Sequence, residues 1–296
     1  MGILQDYVRA GGGHDDEGTK LNIHKSKYRG GCGCTARLPT DNRPELARVA
    51  AAEALGAALL VLLSCFPSCL PTPLSSTHTA LASGCVVAML VQGLDHISGA
   101  MMNPTVTLAA VVWGRVSAVR AIVMFAAQLA GGAAGAAALA ALVPAGGSLA
   151  GCLTVPAPGV STARAVAVEA VLGACLALVN CAAWDPRNQH LRDSWPLRIG
   201  TSVAAMSLVA GTLTGASMNP ARSLAPAVLL GQFHHHWVYW VGPLSGGAGA
   251  AALYCALWRP PPPRAAPAPA LPRPLSKHCT AACCSREDWR APGGGG

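Results

Sequence analysis

Long apolar runs separated by short polar connections dominate the middle of the chain. Six of them, near residues 45–66, 79–96, 118–143, 162–184, 197–215 and 236–257, approach the roughly 20 residues that a helix needs to cross a bilayer. Two further apolar segments, 104–114 and 220–230, are too short to span. Each opens on an Asn-Pro pair, Asn103-Pro104 and Asn219-Pro220. Proline in the first helical turn gives up only an N–H that would lack an intrahelical partner anyway. These two segments are therefore predicted as re-entrant half-helices.

The flanks are patterned differently. Residues 1–44 are glycine-rich and hydrophilic, and residues 258–296 carry four consecutive prolines, a Pro-Ala alternation and a terminal glycine run. Both read as disordered tails around an apolar domain at 45–257. No signal peptide is expected ahead of the first apolar run, because the opening stretch is polar. Asp6 stands where a myristoylation motif takes Ser or Thr, and Cys283 and Cys284 read as solvated tail thiols, with palmitate acceptors the alternative.

The pattern repeats. Ser98-Gly99-Ala100-Met101-Met102-Asn103-Pro104 aligns with Thr214-Gly215-Ala216-Ser217-Met218-Asn219-Pro220, and the same spacing relates Arg48 to Arg164 and Glu53 to Glu169. Ala127-Gln128-Leu129-Ala130-Gly131-Gly132 similarly matches Gly242-Pro243-Leu244-Ser245-Gly246-Gly247. The repeats cover about 45–144 and 161–257. Three spans per repeat is an odd number, so the copies must run in opposite membrane orientations, with the functional site between the interrupted helices. The expected fold is all-α and integral to the membrane: six transmembrane helices plus two half-helices.

Composition agrees. Charged residues make up 11% of the chain against about 25% in soluble domains, apolar residues 52%, and mean hydropathy is +0.41. The net charge of +8 does not indicate nucleic acid, because seven of the 21 Lys/Arg precede residue 44 and six follow residue 258. With both tails inside, the inner connections hold Arg115, Arg120, Arg187, Arg192 and Arg198, and the outer ones only Arg164 and Arg222. That bias predicts cytoplasmic termini. The 12 cysteines form no framework: Cys32 and Cys34 lack a second metal-like pair, and Cys65 and Cys69 suggest at most a local disulfide in a short outer loop. His234-His235-His236 reads as interfacial, His96 as a loop hydrogen-bonder, and no metal or cofactor is expected.

Two half-helix N-termini meeting at mid-membrane would present unsatisfied N–H groups and partial positive charge. Asn103 and Asn219 would add amide donors there. A neutral solute's oxygen can accept from such a site, whereas a cation meets a barrier. Two Gly-x-x-x-Asn-Pro motifs in an inverted repeat, with Arg222 after the second, closely resemble the aquaporin (major intrinsic protein) family over about 45–257. The resemblance implies a homotetramer with a pore in each subunit. It also implies that the buried acids Glu53 and Glu169 hold loop N–H groups. The motif residues would be Asn103, Pro104 and Thr105 with Asn219, Pro220 and Ala221. Thr105 replaces the usual Ala; its extra hydroxyl is free to bond back within the first turn or to narrow the half-helix tip, and little effect on conduction is expected.

The family's selectivity filter maps onto Ser83, Ser207, Ala216 and Arg222, without the aromatic ring and imidazole of water-selective relatives. A ring-free filter implies a wider pore for glycerol and urea as well as water, with two hydroxyls to serve a polyol. Ser223, Ala227 and Tyr239-Trp240 nevertheless resemble the water-channel branch. That combination, with Trp184-Asp185-Pro186-Arg187-Asn188, resembles the insect glycerol-conducting branch. The alternatives are a water-selective pore and a poorly conducting structural or adhesion member. No catalytic constellation indicates an enzyme.

Overall fold

A computed structural model describes residues 41–261, in which eight α-helices and two 3-10 helices occur and no strand is present among the described residues. The helices are α1 (Arg43–Cys69), α2 (Ser76–Ser98), α3 (Pro104–Trp113), α4 (Ala118–Leu142), α5 (Thr162–Trp184), α6 (Trp195–Thr214), α7 (Pro220–Leu230) and α8 (Val238–Leu257). The 3-10 helices are Leu149–Cys152 and Pro186–Ser194. All six expected spans and both half-helices are present, with ends within a turn of their predicted positions. The two tails, with Cys32, Cys34, Cys283 and Cys284, lie outside the described residues.

Local chemistry sets the helix boundaries. Ser75, Ser117 and Ser161 each accept a hydrogen bond from a first-turn N–H, of His78, Arg120 and Arg164 respectively, which satisfies one of the orphan donors of a helix start. Five helices are long and apolar enough to cross a membrane by length and composition. The sixth span, α8, has 20 residues but is diluted by Pro243, Ser245 and several glycines. Those small residues serve packing: a Cβ on Gly246 would lie 1.9 Å from the Ala170 carbonyl of α5.

The repeat governs the packing. Helix α1 lies on α4 as α5 lies on α8, and each half-helix is covered by the other repeat's last span, α3 by α8 and α7 by α4. The two halves cross at α2 and α6. There a Cβ on Gly84 would lie 2.5 Å from the Gly200 carbonyl, and a Cβ on Gly200 would lie 2.5 Å from the Gly84 carbonyl. Backbones that close leave no room for any side chain.

One cysteine expectation is overturned. Cys65 and Cys69 both lie in the last turns of α1, not in a loop, and Cys65 is bonded to Cys152 in the 3-10 helix of the α4–α5 connection. Cys69 is a buried free thiol. A partner 87 residues away leaves no trace in local spacing. His96, read as a loop residue, belongs to the last turn of α2. In the histidine tract, His236 Nε2 accepts from Trp240 Nε1 at 3.0 Å. Burial lowers the His236 pKa, in keeping with a neutral ring. No metal-holding cluster occurs among the described residues.

Candidate functional site

The loops entering the two half-helices have nearly identical unusual backbones. Gly99, Ala100 and Met102 have φ of 91°, 43° and 48°, and Gly215, Ala216 and Met218 have φ of 81°, 42° and 55°. Non-glycine residues adopt such angles only when their surroundings over-determine them. Here the surroundings are two carboxylates, each with no exposed surface. Glu53 accepts from Met101 N at 3.0 Å, Met102 N at 2.6 Å, Ser98 Oγ at 2.5 Å and Gln128 Nε2 at 2.7 Å. Glu169 accepts from Ser217 N and Met218 N, both at 2.9 Å, and from Thr214 Oγ1 at 2.7 Å. A buried carboxylate is tolerable when its lone pairs are filled in this way.

This anchoring orients the loops. In a trans peptide the carbonyl points opposite to the N–H. With the N–H groups of 101, 102, 217 and 218 aimed at the carboxylates, the carbonyls of Ala100, Met101, Ala216 and Ser217 turn toward the opposite side. These four residues line a cavity of about 310 Å3 that runs through the fold. The loops thus supply it with a ladder of acceptors.

The donors come from the Asn-Pro motifs. Asn103 Oδ1 accepts from Thr105 N at 2.8 Å, and Asn219 Oδ1 from Ala221 N at 3.0 Å and Arg222 N at 3.3 Å. Each amide nitrogen reaches across the repeat: Asn103 Nδ2 donates to Met218 O at 3.0 Å, and Asn219 Nδ2 donates to Met102 O at 2.9 Å. An amide NH2 carries two hydrogens, so one on each Asn is left for the cavity both residues line. Pro104, Pro220 and Ala221 are buried in the first turns of α3 and α7. The N-termini of both half-helices converge on this spot.

Ser83, Ser207, Ala216 and Arg222 line the same cavity. Ser83 Oγ donates to Thr79 O at 2.8 Å, so it faces the cavity chiefly as an acceptor. Arg222 Nη1 donates to the Cys152 carbonyl at 2.7 Å, in the segment that the disulfide ties to α1. That linkage escapes the sequence reading, since Cys152 belongs to no motif. Ser98, Thr214 and Gln128 were also missed as partners of the acids. The hydroxyl common to Ser98 and Thr214 in the two repeat copies is the signal that marks them.

Thr105 takes neither of the two roles its hydroxyl offers. Its hydroxyl is buried, finds no hydrogen-bond partner and bonds back to no carbonyl of its own turn. Its methyl group packs at the Gly247 backbone of α8, where an added Cβ would lie 2.6 Å away. Thr105 is not among the cavity-lining residues and does not narrow it.

Residues 41–254 match the family described as Major intrinsic protein. Among its relatives, the lens fiber major intrinsic protein of Oryctolagus cuniculus is 46% identical over 186 residues, 62% of this chain and 70% of that protein. The protein of the same name from Lithobates pipiens is 47% identical over 177 residues, 59% and 66% of the two chains. The aquaglyceroporin of Plasmodium falciparum, a solved structure, superposes with a TM-score of 0.62 at 21% identity, over 72% of this chain and 96% of that one, a likeness of fold. Matched motif by motif and over most of its helical domain, this chain belongs to the major intrinsic protein (aquaporin) family of membrane channels, which are transporters and not enzymes.

Proposed function

We propose that this protein conducts glycerol and urea as well as water, passively, while excluding ions and protons. The observation that carries this reading is the lining of the cavity. Around Ser83, Ser207, Ala216 and Arg222 it holds neither an aromatic ring nor a histidine, and Trp195 is the one aromatic residue along the described lining. A constriction formed by two serines and an alanine leaves room for a carbon backbone. Hydroxyls and carbonyls can then exchange hydrogen bonds with the solute. Arg222 and the two half-helix N-termini supply the positive barrier to cations. Both termini are proposed to be cytoplasmic, in line with the arginine-rich connections on their side, in the plasma membrane. The family resemblance supports a homotetramer.

Stopped-flow light scattering on proteoliposomes tests the reading. Glycerol permeability is expected to exceed that of empty liposomes several-fold. Fast water with glycerol at the empty-liposome level would replace it with the water-selective reading, and neither flux with the structural or adhesion reading. Ser207→His restores an imidazole to the constriction and should cut glycerol flux roughly tenfold while water flux persists. Unchanged glycerol flux would remove residue 207 from the constriction.

A further inference from the structure

A second cavity, of about 440 Å3, opens on the face that carries both ends of the described chain. Asp95, His96, Arg115, Trp184, Arg192, Trp195 and Arg198 stand around it, so its formal charge is positive even without the histidine. Trp195 lines this cavity and the through-cavity alike, which sets the second cavity at the mouth of the pore.

Arginines are expected on this face for topological reasons alone, and most of them are satisfied by the protein. Arg48 and Arg120 bond to Glu45, Arg187 to Asp185 and the Trp258 carbonyl, and Arg259 to the Trp113 carbonyl. The three cavity arginines differ. Among the described residues, the guanidinium groups of Arg115, Arg192 and Arg198 donate to no acceptor and pair with no carboxylate within 4.0 Å. The Arg115 guanidinium lies 5.9 Å from the centre of the Trp184 ring. Burial lowers its pKa, the charge of Asp95 opposes that shift, and the smaller effect of Arg192 adds to the lowering.

We propose that this mouth cavity is a binding site for a phosphate monoester, held by Arg115, Arg192 and Arg198. Three planar forks around one open cavity suit the several oxygens of a dianion better than a carboxylate or halide. The monoester could belong to a soluble metabolite or to a lipid headgroup, and the same three arginines would serve either. The site stands whether or not the pore conducts glycerol, because it rests on the mouth and not on the constriction.

The test uses the full-length protein in phosphatidylcholine nanodiscs, titrated calorimetrically with inorganic phosphate and with phenyl phosphate. Sodium chloride at matched ionic strength is the control. Saturable binding of either phosphate is expected, weakened about tenfold or more by Arg192→Gln with Arg198→Gln, a pair of changes at surface positions outside the pore. Arg115→Gln should weaken it likewise if the variant remains monodisperse. A second arm replaces part of the phosphatidylcholine with phosphatidylinositol 4-phosphate and omits free phosphate. Raised thermal stability in that arm alone, lost in the double variant, assigns the same site to a headgroup. The proposal is overturned if neither arm responds, if chloride reproduces the response, or if the double variant binds as the wild type does.

Discussion

Glu53 and Glu169 perform the same task with unequal help. Glu53 receives a bond from Gln128, and at the corresponding place in the second repeat stands Pro243, which has no donor to give. Replacing either acid by glutamine would turn an acceptor oxygen into a donor facing a backbone N–H. Each change should cost about 3 kcal/mol, read as a fall in the midpoint of thermal unfolding in detergent. Retention of the wild-type midpoint would mean that the carboxylates do not hold the loops. Thr105 makes the opposite prediction. Its unpartnered hydroxyl makes Thr105→Val neutral or stabilising by up to about 1 kcal/mol, with solute flux unchanged because the side chain faces α8. Lost flux would return residue 105 to the pore. The motif residues were legible in sequence because two copies of one heptapeptide announce them. The direction of the Thr105 side chain was not, since it depends on where α8 lies.

At the scale of elements, close approach decides what the repeat can tolerate. Gly200→Leu would thrust a branched side chain into the Gly84 carbonyl of α2 and separate the two halves of the molecule. A loss of at least about 3 kcal/mol is expected from such overpacking, seen as a collapsed yield of monodisperse protein. Gly93→Ala is the matched control: nothing lies within 4 Å of its added Cβ. It should be neutral or gain up to about 1 kcal/mol of helix propensity. Equal behaviour of the two variants would dismiss the crossing as a constraint. The Pro186–Ser194 helix is held differently, by Asp185, which accepts from the Arg187 side chain and from Tyr254 Oη of α8 at 3.1 Å. The Arg187 bond, the larger cause, draws the Asp185 pKa down from 3.8 to about 2. A depressed carboxylate stabilises fully above its unfolded value, and that contribution fades as pH falls from near 3.8 toward about 2. Asp185→Asn should therefore be less stable than wild type at neutral pH, the gap closing across that window in detergent unfolding. A gap that stays constant with pH would discharge Asp185 from the role. The spans were readable from apolar runs alone. The 3-10 segments, with few apolar residues and no period, were not.

Across the whole molecule, the inverted repeat explains why two dissimilar chemistries meet in one passage. Acceptors come from loops pinned by buried acids, and donors from half-helix tips that each lie under the other repeat's last span. Neither half could build this lining alone, since each Asn amide needs the carbonyl of the opposite loop. The internal repeat made this mutual dependence foreseeable. The clustering of unpaired arginines at one mouth was not, because Arg115, in the α3–α4 connection, is far in sequence from Arg192 and Arg198 and meets them only when that connection packs beside the Pro186–Ser194 helix and the start of α6.

The Cys65–Cys152 bond bears on how the molecule matures. It lies at the end opposite residues 43 and 257, where the described helices begin and finish, and its Cys152 carbonyl is the one that holds Arg222. Disulfides form and persist in the secretory lumen and outside the cell, whereas the cytosol keeps thiols reduced. The bond therefore argues for the same sidedness as the arginines, by redox chemistry instead of charge. Gly146→Asn, at an exposed left-handed position that Asn tolerates, completes a glycosylation acceptor with Ser148 in this connection. The glycan should appear as an endoglycosidase-sensitive gel shift, and an acceptor left bare while a tail acceptor is modified would reverse the topology. On that sidedness, the carbonyl that clasps Arg222 is fixed by a bond that only an oxidising compartment sustains, so a reductant acting from the far side should loosen the clasp without reaching the opposite mouth.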